Sequence, residues 1–521
     1  MRTTKSRSRP RKSAAERARR GEVLAFGSVA FRSAKGRPFA ERKTTLCGVL
    51  AIMALTLCLT FHSTAIAQEP DESPITVKEI QAHTSFLASD TLQGREAGTA
   101  GGQASAAYLA DELRRLKFQP IGSGNDYRQS FGAGYQNVLG LLVGSDPQLK
   151  DEWIVLGAHF DHVGFGNRTN SQGPFGQIHN GADDNASGVS CLLEIAEALK
   201  GGPALRRSVA FAFWDGEEKG LLGSEHWLKT HPARPQIRFY TNLDMVGRLR
   251  DDTVEVFGVR TMPGVRTFLA RSNASDLQLK FDWAQRDDSD HHSFYLRQIP
   301  YVMLYTGLHY DYHRPSDDLE KLNLEGIQRV ATVLSRHTTQ LADHPEPLVF
   351  RENCRYELSP HTPGTPLPSR LGVTWSQKRL VGESIQLSKV DPGLAADRAG
   401  LKPGDELLTI NGQNLREVED FIAWVRESPQ HLEVDLVRAE TGAKEHVAFD
   451  LDGFALPSGA SAASDSAEPG IAVLTSVTSA SFADQSGFRS GDRIHSVREG
   501  AAPSARRWEI ERHGRLLVLP K

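Results

Sequence analysis

Five short polar clusters punctuate the middle of this 521-residue chain, each close behind or ahead of an apolar, strand-like run. They read HFDHVG from His159, NGADDNASG from Asn180, DGEEKGLLGS from Asp215, NLDMVG from Asn242 and YHRPSDD from Tyr312. Residues 152–158, 208–213, 239–243 and 299–305 are the apolar runs, short and rich in β-formers. A helical pattern, Val189, Leu192, Leu193, Ala196 and Leu199, follows the second cluster. Strands separated by helices predict an α/β fold, a mostly parallel mixed sheet sandwiched by helices. Ligands bind such sheets beyond the carboxyl ends of the strands, so the architecture would gather the clusters in one place.

The clusters contain His159, Asp184, Glu218, Asp244 and His313, with Glu217 next to Glu218. Imidazole and carboxylate without thiolate is the donor set of a catalytic zinc site rather than a structural one. Two ions about 3.5–4 Å apart share a carboxylate and activate water between them. A neighbouring carboxylate must then accept the water's proton and pass it to the leaving amine. Two adjacent glutamates can divide these duties.

The five motifs, in this order, resemble those of metallopeptidase family twenty-eight, which includes double-zinc aminopeptidases and glutamate carboxypeptidase. The likeness covers residues 75–343 and implies a zinc-aminopeptidase fold with two zinc ions. It implies that His159, Asp184 and Asp244 hold one ion, and that Glu218, His313 and the same Asp184 hold the other. Asp184, not Asp183, matches the bridging residue, and a cis peptide is implied after it. Glu217 matches the general base, Asp161 the carboxylate that orients the first histidine, and Tyr312 a residue that stabilises the oxyanion in some members. Ser289-Asp290-His291 resembles a further motif lining the site. His162, His179, His291 and His309 receive no metal in this scheme and are read as pocket walls. The implied activity is removal of amino-terminal residues from peptides. A carboxypeptidase or a glutaminyl cyclase of the same fold is the alternative, as is a scaffold with a vestigial peptidase domain.

Elsewhere the sequence constrains setting and partners. Residues 1–67 carry 14 basic and 3 acidic side chains, leaving 47 basic against 61 acidic, so the body is strongly negative. That excludes a nucleic-acid-binding surface. The basic front, the apolar run at 45–61 and Ala65-Ile66-Ala67 form a signal-peptide pattern with cleavage expected after Ala67. Export to the periplasm, envelope or medium follows, with membrane attachment only if the segment stays uncleaved. Cys191 and Cys354 remain after cleavage, and Cys191, in an apolar helical run, is read as a core residue.

The peptidase region is assigned to residues 70–343 and a proline-rich linker to 344–369. Residues 370–452 resemble a PDZ domain of the kind appended to exported proteases. There Arg370, Leu371, Gly372 and Val373 would be the carboxylate-binding loop, residues 415–427 the helix beside the groove, and a peptide terminus or partner the ligand. A Gly/Ala/Ser-rich stretch, 453–469, reads as a flexible linker. The remainder, 470–521, repeats the PDZ-like segment: Val390, Asp397, Gly400, Gly404 and Asp405 recur 87 residues later as Val477, Asp484, Gly487, Gly491 and Asp492. Lacking the groove helix, it reads as a degenerate copy. The residues flanking FGAGYQNV leave no room for an inserted domain, and residues 165–178 are expected on the pocket rim.

Overall fold

Strand burial explains how the site is carried. The computed structural model describes residues 74–231, 236–357, 364–376, 384–415, 417–498 and 506–520; the signal-peptide pattern and its cleavage point lie outside them. Trp153–His159 and Ser208–Trp214 are buried at every position. Continuous apolar strands of this kind belong in parallel sheets covered on both faces.

They lie in a nine-stranded mixed sheet. Its parallel centre runs Ser208–Trp214, Trp153–His159, Ile237–Leu243, Tyr301–Tyr305. Antiparallel pairing brings Tyr135–Leu142 to one side and Thr253–Phe257 to the other. Successive strand residues point to opposite faces. Ile154, Leu156, Val209, Phe211 and Phe213 therefore join one core with the helices Val77–Leu87, Ala100–Arg115, Gly188–Gly201, Val265–Ser272 and Leu324–Asp343. Val155, Ala210, Ala212 and Trp214 face the other, covered by Leu222–Thr230 and His291–Tyr295. Tyr240 stacks on Phe294 with ring centroids 3.6 Å apart. Deleting a ring such as Phe211 from such a core costs about 3–5 kcal/mol. Cys191 sits in the first core, as its apolar surroundings predict, and Cys354 in the second.

The C-terminal region is β-rich. Val373–Trp375, Ile385–Val390, Glu406–Ile410, His431–Val437 and Lys444–Asp450 form one sheet beside the helix Val418–Glu427. A second sheet holds Ala460–Asp465, Glu468–Val477, Arg493–Arg498, Arg507–Arg512 and Arg515–Leu519. The 87-residue repeat is structural: the short helix Ala395–Arg398 matches Phe482–Gln485, and the strand beginning at Glu406 matches the one beginning at Arg493. Asp405 accepts the N–H of Lys402 as Asp492 accepts that of Arg489. Where the first copy has its long helix, the described residues 506–520 of the second form a β-hairpin.

Two linker readings need correction. Residues 453–469 are not free: Ala460–Asp465 pairs with Glu468–Val477, because its small alternating side chains fit the sheet and Asp465 is held by Arg260 and Arg493. Nor is 344–369 a spacer. Leu348 and Cys354 are buried in the two cores flanking the nine-stranded sheet, and Thr365–Pro366 adds to the second sheet. The hairpin turn of the repeat meets the sheet's edge strand Gln278–Phe281, where Leu279 donates its N–H to the His513 carbonyl at 2.8 Å. An exposed edge is thereby covered.

Candidate metal centre

Each cluster occupies a loop at the carboxyl end of a central strand. His159 ends Trp153–His159, Glu217 and Glu218 follow Ser208–Trp214, Asp244 follows Ile237–Leu243, and His313 lies beyond Tyr301–Tyr305. Asp184 arrives from the segment before the helix Gly188–Gly201, and the Asp184–Asn185 peptide is cis.

Asp184 stands between two groups. Its Oδ1 is 3.4 Å from His159 Nε2, which is also 3.4 Å from Asp244 Oδ1. Its Oδ2 is 3.1 Å from His313 Nε2, which is 3.2 Å from Glu218 Oε1. Asp183 is occupied elsewhere, accepting the Gly247 N–H at 2.6 Å and meeting His309 at 3.0 Å. Glu217 joins His159 and Glu218 in a third close group. Tyr312 stacks on His313, ring centroids 3.9 Å apart.

The supporting contacts are specific. Asp161 orients His159 through its backbone carbonyl, 3.1 Å from Nδ1, while its carboxylate lies 3.8 Å from that nitrogen. The carboxylate instead accepts the N–H groups of Glu217 and Glu218, at 3.1 and 3.3 Å. The carboxylate-to-histidine contact expected from the motif is thus corrected: a residue two positions along can reach the ring with its main chain, freeing the side chain for the glutamate turn. Asp317 Oδ2 accepts the N–H groups of Asp183 and Asp184, at 2.9 and 3.0 Å. Arg95, fully buried in the segment before the helix Ala100–Arg115, donates to the carbonyls of Phe160, Asn180 and Gly181 and so joins two of the loops that carry the clusters.

The electrostatics describe a site short of positive charge. Burial opposes the charged ring of His313, yet Asp184 and Glu218 raise it to about 11. Burial would raise Glu218, but His162 and His313 bring it down to about 2. Glu217 rises well above the usual carboxylate range through burial and the nearby Glu218, Asp290 and Asp244. Asp290 is pushed up to about 7, chiefly by burial. Asp184 Oδ2 is buried and has no hydrogen-bond partner. A paired carboxylate with an orphaned oxygen, flanked by imidazoles and free of thiolate, fits divalent zinc.

The family model of Peptidase family M28 matches residues 137–338, and that of a PDZ domain matches residues 386–438. Over residues 137–338 the chain is similar to peptidase family M28. Aminopeptidase YwaD of Bacillus subtilis is 28% identical over 214 residues, covering 38% of this chain and 43% of that protein. Leupeptin-inactivating enzyme 1 of Streptomyces exfoliatus is 30% identical over 189 residues, covering 35% of this chain and 39% of that protein. A solved zinc aminopeptidase from Bacillus subtilis aligns with 54% of this chain and 99% of its own, at 19% identity and a TM-score of 0.42. The chain spans less than half the length of these two curated relatives.

Within this segment His159, Asp184, Glu218, Asp244 and His313 fall into adjacent groups of side chains. His162 does not behave as a wall residue: its Nδ1 is 3.0 Å from Glu218 Oε1. His179 and His291 stay outside the ligand groups, bonded to Ser171 and the Arg286 carbonyl. Residues 165–178 do border the site, since Gln172 donates its N–H to the His313 carbonyl and Arg314 donates to the Gln172 carbonyl. Sequence reading passed over Arg95 and Asp317, although Asp317 lies inside YHRPSDD.

In the PDZ domain, Leu371 is buried and Gly372 sits at φ +76°. Val373 begins an edge strand. Arg370 departs from the expected ligand role. Its buried guanidinium donates to the carbonyls of Val425, Arg426, Ser428, Pro429 and Asp452, because the end of the groove helix leaves acceptors that only a nearby donor can satisfy. A cavity of about 690 Å³ between Trp283, Arg260 and the second repeat contains none of the metal-site residues.

Proposed function

We propose that the protein is an exported, two-zinc aminopeptidase of family M28 that carries a peptide-binding PDZ domain. One observation carries this reading: the two oxygens of Asp184 face two separate ligand groups, 3.4 Å from His159 and 3.1 Å from His313. His159, Asp184 and Asp244 would hold one zinc, and Asp184, Glu218 and His313 the other. Bound there, the pair would polarise the scissile carbonyl and lower the pKa of water.

The chain's own groups do the rest. Glu217 takes the proton from the attacking water and returns it to the departing amide nitrogen as the C–N bond breaks. Its buried surroundings raise its basicity toward that of a group able to do both. The Asp161 carboxylate fixes the turn that carries Glu217 and Glu218. Tyr312, stacked on His313, would donate its hydroxyl to the oxyanion. Glu217, Asp244 and Asp290 make the site acidic, which favours a substrate entering with a protonated α-amine. The name of Aminopeptidase YwaD agrees with that preference.

The test is hydrolysis of aminoacyl-4-nitroanilides by the purified protein with and without a chelator. Loss of activity on chelation, restored by two equivalents of zinc, is the expected result. Activity indifferent to chelation and to Glu217→Gln would remove the assignment. Substrates with blocked amino termini or amino-terminal glutamine would reveal a carboxypeptidase or cyclase instead, and a chain that binds no zinc a scaffold. For export, amino-terminal sequencing of the mature protein should begin at Gln68.

A further inference from the structure

The scheme above gives His162 no role, yet its ring lies among the groups assigned to the second zinc. Nδ1 of His162 is 3.0 Å from Glu218 Oε1 and 3.7 Å from Asp184 Oδ2. His313 Nε2 is 3.2 and 3.1 Å from the same two oxygens. The four ligand atoms all fall within 4.8 Å of one another. Two imidazoles, their planes at 84°, converge on one pair of carboxylate oxygens.

These separations have a geometric meaning. Zinc–nitrogen and zinc–oxygen bonds of about 2.0–2.1 Å in a tetrahedron place neighbouring ligand atoms roughly 3.3 Å apart. The distances of 3.0–3.7 Å around His162 and His313 scatter about that edge length, as do the 3.4 Å contacts of His159. A simple hydrogen bond to Glu218 would account for the 3.0 Å contact alone, not for the approach to Asp184 Oδ2, which has no hydrogen-bond partner.

The backbone holds the ring there. His162 donates its N–H to the Arg95 carbonyl at 3.3 Å. Gly181, at φ +57°, lies so close that a Cβ on it would fall 2.5 Å from His162 Cδ2 and 2.7 Å from Cγ. Only glycine leaves space for the imidazole at this point.

We propose that His162 is a metal ligand through Nδ1, so that one position is built from Asp184, Glu218, His313 and His162 and the other from His159, Asp184 and Asp244. The inference rests on the two-zinc reading and makes the two positions unequal. The position with two imidazoles should retain its ion longer as chelator is raised.

The test uses the full chain stripped of metal and reloaded with zinc or cobalt(II). Zinc affinities are read by competition with a chromophoric chelator, and coordination by the visible spectrum of each cobalt equivalent. His162→Ala removes the ring; His162→Asn keeps an N–H donor within reach of Glu218 and is the deciding variant if alanine prevents folding. Loss of an outer partner costs about 10–100-fold in metal affinity, so loss of a ligand should reach 100-fold or more for one of the two ions. The cobalt spectrum of that equivalent should change, and that of the other should not. His162→Asn with unchanged affinities and spectrum would overturn the proposal, leaving a hydrogen-bond donor. If the unsubstituted protein binds no zinc, the two-zinc reading itself falls and this one with it.

Discussion

Asp161 accepts the backbone N–H of Glu217 at 3.1 Å through one carboxylate oxygen and that of Glu218 at 3.3 Å through the other. One buried side chain therefore sets the positions of both adjacent glutamates, one assigned to proton transfer and the other to metal. Asparagine at 161 would turn an N–H toward one of those donors. Asp161→Asn should lower kcat about 10–100-fold and weaken zinc binding to a similar degree. Steady-state kinetics with metal analysis checks this; unchanged kcat and zinc content would show that the turn holds itself.

Glu217 should separate from the ligands by what its loss spares. Glu217→Gln is nearly isosteric and removes the proton acceptor. It should cost about 10²–10⁴-fold in kcat, with KM little changed and both zinc ions retained. Glu218→Gln should lose metal as well as activity. Zinc content measured beside kcat distinguishes the two, and the same result for both would mean that the adjacent carboxylates do not divide their labour.

The central sheet and the gathering of the polar clusters were legible because parallel strands buried on both faces must be continuously apolar and must end in the loops that carry polar groups. Val155 and Leu156, pointing to opposite cores, show that pattern. What escaped reading depends on contacts remote in sequence. Asp317 bonds the Asp184 loop more than 130 residues away, and nothing in the spacing of YHRPSDD says so. His162 looked redundant because a histidine three positions after His159 cannot be aimed without knowing where Gly181 lies. The Ala/Ser-rich stretch at 453–469 reads as a spacer by composition, yet small residues also fill a strand whose ends are fixed by buried charge.

Arg370 illustrates the same limit in the PDZ domain. Its guanidinium satisfies four carbonyls at the end of the groove helix and the following turn, and that of Asp452. Arg370→Ala would leave buried acceptors without donors, each costing about 1–3 kcal/mol before relaxation. The expected outcome is a lower melting temperature for the PDZ domain, monitored through Trp375 and Trp424 fluorescence. A variant that melts normally but loses peptide affinity would restore the ligand role.

Arg493 should matter more for stability than any surface ion pair. It is buried with Asp465, Glu468 and Glu511, and the same carboxylates reach across to Arg260, Thr267 and Arg266 of the peptidase domain. Removing the central cation leaves each of the three carboxylates with one cation fewer, and breaking a buried pair costs about 3–5 kcal/mol. Arg493→Met should detach the second repeat at lower temperature while sparing peptidase turnover at 25 °C. Limited proteolysis would show this as cleavage beginning between residues 453 and 521.

Glu194 gives a pH dependence remote from the metal centre. It lies in the helix Gly188–Gly201, accepts the Thr76 N–H at 2.9 Å, and is 3.8 Å from His83. Burial, assisted by Glu79 and Glu197, pushes it up to about 7, against an unfolded value of about 4.3. Between those values the folded chain binds the extra proton, so stability falls as pH rises through the interval. The contribution is fully present below about 4.3 and lost once pH passes 7. Glu194→Gln keeps an acceptor for Thr76 and removes the titration. Its melting temperature should match the parent's near pH 5 and exceed it by a few degrees at pH 8. Thermal melts across that range check the sign: a pH-independent difference, or a variant less stable at pH 8, would mean that folding does not raise the pKa of Glu194.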